Sequence, residues 1–235
     1  MGNFYANFYL KNGLRMVLNV TAKTKFDIYR VLQELSKTNP LFCSELEFQF
    51  YLAWKIKELY KDQFTICIEY PLKNYEGKNR NIDLLVIDSS GGYIPIELKY
   101  KTSKFEQIWN GLTFNLKDQS ANDLTKYGHI KDISRIEYFK ETETNFLVGY
   151  AITITNQSRT WQKIVNTEQT DYEFSLENGI TINKGIKKWH ECTSDYNKKH
   201  NPSVFLKNDY FIHWQDFCNF NKPRGVFKIL VTEIV

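Results

Sequence analysis

The stretch NIDLLVIDSSGGYIPIELKYK, residues 81–101, decides the fold because it contains two apolar strands joined by a glycine-containing turn. Runs of β-branched and apolar residues bounded by turn residues are typical of strands. Three charges interrupt these runs, with Asp83 in the first strand and Glu97 and Lys99 in the second. An ionised group inside a buried strand costs free energy unless it is paired or bound to a metal. The three residues are therefore candidates for a functional site.

Side chains alternate along a strand, and this alternation predicts that the three charges lie on one face of the sheet. The residues that mark the apolar faces are Ile82, Leu84 and Val86 in the first strand and Ile94, Ile96 and Leu98 in the second. If both faces contact the same core layer, residues paired across an antiparallel hairpin have numbers with an even sum. That register requires a loop with an odd number of residues or a bulge, and Pro95 and Gly91-Gly92 are compatible with either.

Hydrophobic periodicity predicts the other elements outward from this stretch. Residues 44–61 form a helix in which Ser44 and Glu47 make a capping-box pattern. A helix is expected at residues 24–35, preceded by a strand or an irregular arm at residues 4–20. The remaining predictions are a strand at 64–70, mostly helix at 104–140 with a break near Gly128, strands at 145–155 and 226–234, and loops with short elements at 156–204.

The order helix, three strands, helix, strand (αβββαβ) predicts an α/β fold with a mixed β-sheet flanked by helices. Short turns favour an antiparallel arrangement of the first three strands, whereas a strand reached through a helix can add in parallel. We expect an N-terminal arm and helix at 1–43, a core at 44–155, and a C-terminal extension at 156–235 that packs on the same domain.

Two carboxylates and a lysine on neighbouring strands suit the hydrolysis of phosphodiester bonds. The carboxylate oxygens of Asp83 and Glu97 are hard ligands of the kind that Mg²⁺ and Mn²⁺ prefer. Such a metal polarises a phosphodiester oxygen and activates water, and Lys99 can orient that water or stabilise the developing charge. The alternative without catalysis is a buried salt bridge between Lys99 and either carboxylate.

The segments Ile82-Asp83 and Glu97-Leu98-Lys99, separated by thirteen residues, resemble the motif of the PD-(D/E)XK nuclease superfamily. This superfamily includes restriction endonucleases, Holliday junction resolvases and repair nucleases. The resemblance covers residues 44–139, and it departs from the motif in having Ile82 in place of proline. It implies a restriction-endonuclease-like core, a Mg²⁺ or Mn²⁺ cofactor, and the backbone carbonyl of Leu98 as a further metal ligand.

The resemblance also implies an acidic residue on the first core helix, for which Glu45 and Glu47 compete. Glu47 occupies the capping-box position, so Glu45 is preferred as a catalytic residue. An acidic first turn that only favours the helix dipole is the alternative for both. Many relatives carry polar residues that face the site on the next helix, and the candidates for substrate contact here are Gln119, Asp123, Lys126 and Tyr127.

Basic residues bracket the predicted site at positions where phosphate contacts would be useful. They are Lys73, Lys78, Arg80, Lys101 and Lys104. The whole chain has 31 basic and 27 acidic residues, a net charge of +4, so a nucleic-acid partner would depend on a local patch. Four cysteines without a C-x-x-C pair argue against a paired-thiol zinc site and fit reduced thiols in a cytoplasmic protein.

Together these features predict a Mg²⁺-dependent endonuclease that acts on DNA, of a restriction, defence or repair type. Cutting of both strands with one site per chain would favour a homodimer. The N-terminal segment has no apolar run long enough to span a bilayer, so no membrane partner is expected. Two alternatives remain. One is a nuclease-fold protein without activity that serves as a nucleic-acid-binding or assembly module, and the other is a protein whose three charges are structural.

Overall fold

The computed structural model describes residues 26–119, 121–164, 166 and 168–235, so the strand or arm predicted at residues 4–20 lies outside it. Within these residues the α-helices are α1 (Ile28–Thr38), α2 (Glu45–Tyr60), α3 (Asn122–Thr142) and α4 (Asp195–His200). The strands are β1 (Phe64–Tyr75), β2 (Lys78–Asp88), β3 (Tyr93–Lys101), β4 (Phe105–Trp109), β5 (Leu112–Leu116), β6 (Gly149–Thr155), β7 (Thr181–Ile182), β8 (Gly185–Lys187), β9 (Val204–Leu206), β10 (Tyr210–Phe211), β11 (Trp214–Asn219) and β12 (Val226–Ile234). None of these helices is long and apolar enough to cross a membrane.

A six-stranded mixed sheet forms the centre of the α/β fold, with the strand order β1-β2-β3-β6-β12-β11. β3 and β6 run parallel, and the other neighbours in this sheet are antiparallel. The parallel pairing follows from the crossover through α3, as the element order predicted. Helices α1 and α2 pack on one face of the sheet, and α3 packs on the other. Every residue of β6 is buried, as expected for a strand covered on both faces.

The β2–β3 hairpin has the predicted even-sum register, since Leu84 opposes Ile96 and Ile87 opposes Tyr93. Five residues, 88–92, separate the last paired residues, and this odd number is what the register requires. Leu84 and Ile96 both belong to the core beneath α1 and α2, so the apolar faces meet one core layer.

The predicted face of Ile82 is wrong. Its side chain joins a second cluster, on the α3 side, with Leu85 and Phe139. The β1–β2 ladder skips the position of Glu69 and Asp83, and Glu69 has a left-handed backbone with φ 53°. This interruption turns Ile82 to the opposite face from Leu84.

The prediction of helix at residues 104–140 is wrong for about its first half and for the break near Gly128. β4 and β5 form an antiparallel hairpin around Asn110-Gly111, whose φ angles are 50° and 78°. Asn-Gly between apolar residues favours a two-residue hairpin turn, and this signal outweighs the helical periodicity. α3 then begins at Asn122 and continues through Gly128 without a break.

The last third of the chain contributes to the same sheet. β12 lies between β6 and β11, so residues 214–234 are part of the central sheet rather than only an extension packed against it. Between β6 and β11 the chain forms short strands and α4, in the region predicted as loops and short elements. The buried carboxylate of Glu137 on α3 accepts hydrogen bonds from Lys207 N, Asn208 N and the Tyr210 hydroxyl, and these bonds attach this region to the helix.

Candidate active site

Asp83 lies where β2 and β3 separate. The ladder between the two strands ends at the pair Leu84 and Ile96, so Asp83 is the first residue of β2 beyond the paired part. The Leu98 N–H donates to Oδ2 of Asp83 at 2.6 Å, so a carboxylate takes the place of a further backbone pairing. The carboxylate is thereby held against the segment Glu97-Leu98-Lys99, and the predicted motif residues meet at one point of the sheet.

Glu97 and Lys99 point to α3, where each meets a partner that the sequence interpretation did not name. Nη1 of Arg135 donates to Oε2 of Glu97 at 2.7 Å. Nζ of Lys99 lies 2.9 Å from Oδ2 of Asp132, and Arg135 is also 3.7 Å from Asp132. The site therefore contains two further charged residues, one helical turn apart on α3.

Gly128 makes room for the lysine to reach this position. A Cβ atom at Gly128 would lie 2.4 Å from Cε of Lys99, well inside contact distance. Glycine in a helix interior costs about 1 kcal/mol relative to alanine, so its presence needs a local reason. The close passage of the Lys99 side chain supplies that reason. Asp132 is one turn further along α3, where it receives the ammonium group.

The two acidic residues at the start of α2 have separate tasks. Glu47 serves the helix end, because its backbone N–H donates to Oγ of Ser44 and its carboxylate accepts from Cys43 N. Glu45 reaches the end of β3, where Oε2 accepts from Tyr100 N at 3.0 Å and lies 3.6 Å from Nζ of Lys101. Glu45 is therefore the carboxylate of α2 that borders the site, as its selection over Glu47 required.

Gln49, one turn after Glu45, fixes the backbone at Asp83. Its Nε2 donates to the carbonyl of Asp83 at 2.6 Å and to Oε1 of Glu69 at 3.1 Å. Gln49 itself is buried, whereas Glu69 is exposed. The amide thereby connects α2 to β1 and β2 at the interruption of their ladder.

Burial shifts the pKa values of the three charged residues of the predicted motif. Burial raises the pKa of Asp83 to about 6, and the neighbouring charge of Asp132 adds to the effect. Burial also raises the pKa of Glu97 well above its usual value, despite the nearby guanidinium of Arg135. Burial alone would lower the pKa of Lys99, but the carboxylates of Asp132 and Glu45 raise it, so the lysine stays cationic.

The carboxylates have free donor atoms of the type that a divalent metal ion requires. Oε1 of Glu97 is buried and has no hydrogen-bond partner among the described residues. Asp83 uses Oδ2 for Leu98 N, and its charge interacts with that of Glu97. These hard oxygens fit Mg²⁺ or Mn²⁺. Within the described ranges no three His, Cys, Asp or Glu side chains are grouped closely enough to hold a metal ion.

The predicted nucleic-acid contacts are not all available at the surface. Lys73, Lys78 and Arg80 are exposed on the β1–β2 hairpin, and Lys104 is exposed after β3. Lys101 is half-buried beside Glu45.

Four of the predicted contact residues lie around the start of α3, and all four have structural partners. Lys126 is buried, and its Nζ lies 2.9 Å from Oδ2 of Asp171. Tyr127 is buried against the Trp189 ring, and its hydroxyl donates to the Pro202 carbonyl. Both are therefore wrong as surface contacts, because the C-terminal region covers them. Gln119 is exposed, but its Oε1 accepts from Thr102 N and so holds the chain just after β3. Asp123 accepts from the N–H of Leu124 in the first turn of the helix.

Asp132 and Arg135 are the site residues that sequence reasoning missed. The spacing 128, 132, 135 places Gly128 on the same helical face as both, and this face was the available signal. It escaped notice because Gly128 was interpreted as a helix break. Comparison of the chain with protein-family models, with curated proteins and with solved structures found no match.

Proposed function

We propose that this protein is a metal-dependent nuclease that hydrolyses phosphodiester bonds in nucleic acid, acting on DNA as an endonuclease. In this proposal α2, β1, β2, β3, α3 and β6 form a restriction-endonuclease-like αβββαβ core of the PD-(D/E)XK type, with the β4–β5 hairpin inserted before α3. The resemblance of the Asp83 and Glu97-Leu98-Lys99 segments to that superfamily motivates the proposal.

The observation that carries the proposal is the hydrogen bond that the Leu98 N–H donates to the Asp83 carboxylate, at the point where β2 and β3 separate. It brings two carboxylates and a lysine close to one another on β2 and β3, and Glu97 keeps one buried oxygen unpaired. A buried carboxylate oxygen without a partner costs about 1–3 kcal/mol, and a metal ion bound at Glu97 would remove that cost. The buried Lys126–Asp171 pair also leaves one carboxylate oxygen unpaired, so the argument for a metal at Glu97 rests on the second carboxylate beside it, that of Asp83.

Each residue has a role that its surroundings support. Asp83, Glu97 and the Leu98 carbonyl would hold Mg²⁺ or Mn²⁺, which supplies Lewis-acid activation of the phosphodiester and of the attacking water. Lys99, kept cationic by Asp132 and Glu45, would orient the water or stabilise charge on the phosphorane. Glu45 would add negative charge at the mouth of the site. Gln49 would hold the Asp83 backbone in position.

The exposed basic residues of the β1–β2 hairpin are suited to contacts with the phosphate backbone. A DNA substrate, a cytoplasmic location and a restriction, defence or repair role belong to the same proposal. Double-strand cleavage by a chain with one such site would require two chains, so a homodimer is included in it.

The second candidate is a nuclease-fold protein that binds nucleic acid or organises an assembly without cutting. Two contacts favour it, because Arg135 occupies one oxygen of Glu97 and Asp132 holds the Lys99 ammonium. A protein of this kind would bind nucleic acid to the same extent with and without a divalent metal. Dependence on metal therefore separates the two candidates.

The test is cleavage of supercoiled plasmid, linear duplex and single-stranded DNA, and of RNA, in Mg²⁺, in Mn²⁺ and in EDTA. We expect metal-dependent cleavage that Lys99→Ala lowers at least about 100-fold, the scale of one electrostatic catalytic group. Lys163→Ala, at an exposed lysine, is the control and should cut like wild type at a matched melting temperature. Equal cleavage by Lys99→Ala and wild type, or no cleavage of any substrate, would reject the nuclease proposal.

A further inference from the structure

Four buried or half-buried charges form an alternating chain between β3 and α3. Glu97 is joined to Arg135 at 2.7 Å, Arg135 to Asp132 at 3.7 Å, and Asp132 to Lys99 at 2.9 Å. The side chains of Glu97 and Asp132 are 1% and 3% exposed, and those of Arg135 and Lys99 are 16% and 19% exposed. The two negative and two positive charges of these four side chains balance one another, as charges that are kept away from water require.

The contact between Arg135 and Glu97 is incomplete. A guanidinium and a carboxylate can pair through two parallel hydrogen bonds, which is their strongest arrangement. Here one bond forms, from Nη1 to Oε2, while Nε of Arg135 and Oε1 of Glu97 are buried and have no partner among the described residues. The carboxylate thus retains an acceptor, and the guanidinium retains a donor, that this pairing does not use.

We propose that Arg135 is the residue that binds the scissile phosphate, and that its ion pair with Glu97 prevents this binding until a divalent ion occupies the Glu97 carboxylate. This inference rests on the proposed nuclease function. The planar fork of arginine matches two phosphate oxygens, and an arginine remains cationic at any working pH. The Nε donor that is unused in the present pairing is one of the atoms that such a fork would employ.

Electrostatics gives the direction of the exchange. A divalent cation bound at Glu97 repels a guanidinium that contacts the same carboxylate, so the two compete for Glu97. Arg135 has another neighbour that can hold it, since its Cζ lies 5.9 Å from the centre of the Tyr75 ring, within cation–π range. The Arg135 side chain is also partly exposed to solvent, so it is not fully enclosed in the interior.

The consequence is a coupling between metal and substrate. If metal binding releases Arg135 to a phosphate, the metal increases the affinity for DNA, and DNA increases the affinity for the metal by the same factor. Direct attraction between the metal and the phosphate contributes a part of this coupling that does not depend on Arg135. The contribution of Arg135 is the part that disappears when its charge is removed.

The experiment compares wild type, Arg135→Gln and Arg135→Lys by Mn²⁺ titration and by binding of a fluorescein-labelled DNA duplex in EDTA and in Ca²⁺. We expect Arg135→Gln to bind Mn²⁺ at least about tenfold more tightly, because no cation competes for Glu97. Ca²⁺ should increase the DNA affinity of wild type, and this increase should be at least about tenfold smaller in Arg135→Gln. Arg135→Lys, which keeps the charge without the fork, should bind Mn²⁺ like wild type and still lose most of the DNA gain.

A merely structural role for Arg135 predicts the reverse. If Arg135 only positions Glu97, Arg135→Gln binds Mn²⁺ more weakly and keeps the wild-type dependence of DNA affinity on Ca²⁺, and the inference is overturned. If Arg135→Gln does not fold, Arg135→Lys serves as the test. A Ca²⁺-dependent increase in DNA affinity as large as that of wild type in this variant also overturns the inference. Wild type that binds neither Mn²⁺ nor DNA would instead reject the nuclease proposal itself, so the two failures are distinguishable.

Discussion

His129 is the most deeply buried titratable residue on the site-facing helix α3. Its Nδ1 is 2.8 Å from Oγ1 of Thr153, and its Nε2 is 2.9 Å from Oγ1 of Thr232. The ring thus joins α3 to two central strands. Burial, with a smaller contribution from the charge of Lys99, lowers the pKa of His129 from 6.5 to about 3. The folded protein therefore keeps this histidine neutral in the range where an unfolded chain would protonate it.

This pKa shift predicts a pH dependence of stability. The stabilisation is complete above pH 6.5 and is lost as the pH falls towards 3, because the unfolded state then binds the additional proton. Between pH 6.5 and 5 the loss amounts to about 2 kcal/mol at most, at about 1.4 kcal/mol per unit. The measurement is urea unfolding at pH 5, 6 and 7 for wild type and His129→Gln. The difference between them should shrink with acidification, and parallel pH profiles would contradict this assignment.

At the residue scale, candidates could be selected from the sequence where the chemistry of a single side chain was conspicuous. Asp83, Glu97 and Lys99 were selected because charges within apolar strands need a reason. Asp132 and Arg135 were not, because charged residues are ordinary in a helix, and the face that they share with Gly128 was hidden when Gly128 was interpreted as a helix break. Lys126 illustrates the same limit, since its burial depends on Asp171, which lies far away in sequence.

At the scale of the element, α2 carries one carboxylate that caps the helix, Glu47, and one that we propose to be catalytic, Glu45. Ser44→Ala removes the N-cap of this helix and should lower the free energy of unfolding by about 1 kcal/mol, with cleavage retained. Glu45→Gln should reduce cleavage while leaving the stability of the helix nearly unchanged. Paired thermal melts and cleavage rates check both. An active Glu45→Gln would remove Glu45 from the proposed site.

Helix α3 offers a second prediction, at Gly128. Alanine there favours the helix by about 1 kcal/mol, but it displaces the end of the Lys99 side chain from its buried ion pair with Asp132, which costs more. We therefore expect Gly128→Ala to melt below wild type and to lose most of the cleavage activity. Ser134→Ala, on the same helix, is the control. A fully active Gly128→Ala would show that the position of Lys99 is not critical.

Element prediction from sequence depended on how local the determining signal was. α2 and β2 were predicted from periodicity and capping, which act within a few residues. The β4–β5 hairpin was missed, although Asn110-Gly111 carries its signal, because the surrounding residues also fit a helical pattern. The place of β12 between β6 and β11 follows from contacts across the whole chain, and no local pattern encodes it.

At the scale of the whole molecule, the sheet separates two cores and the charged site lies between the sheet and α3. Leu98 faces the core beneath α1 and α2, whereas its neighbours Glu97 and Lys99 face α3. The site thus uses the alternation of one strand to place charges on the face opposite a hydrophobic core. A mixed sheet flanked by helices could be predicted from the element order, but the burial of charge against α3 required the assembled fold.

Binding of a divalent ion by the carboxylates of Asp83 and Glu97 is the central claim, and the most direct measurement is a Mn²⁺ titration followed by electron paramagnetic resonance. Wild type should bind Mn²⁺, and Asp83→Asn and Glu97→Gln should each lose that binding while remaining folded. Glu106→Gln, at an exposed carboxylate on β4, should bind like wild type. Mn²⁺ binding that is absent from wild type, or unchanged in both site variants, would contradict the claim.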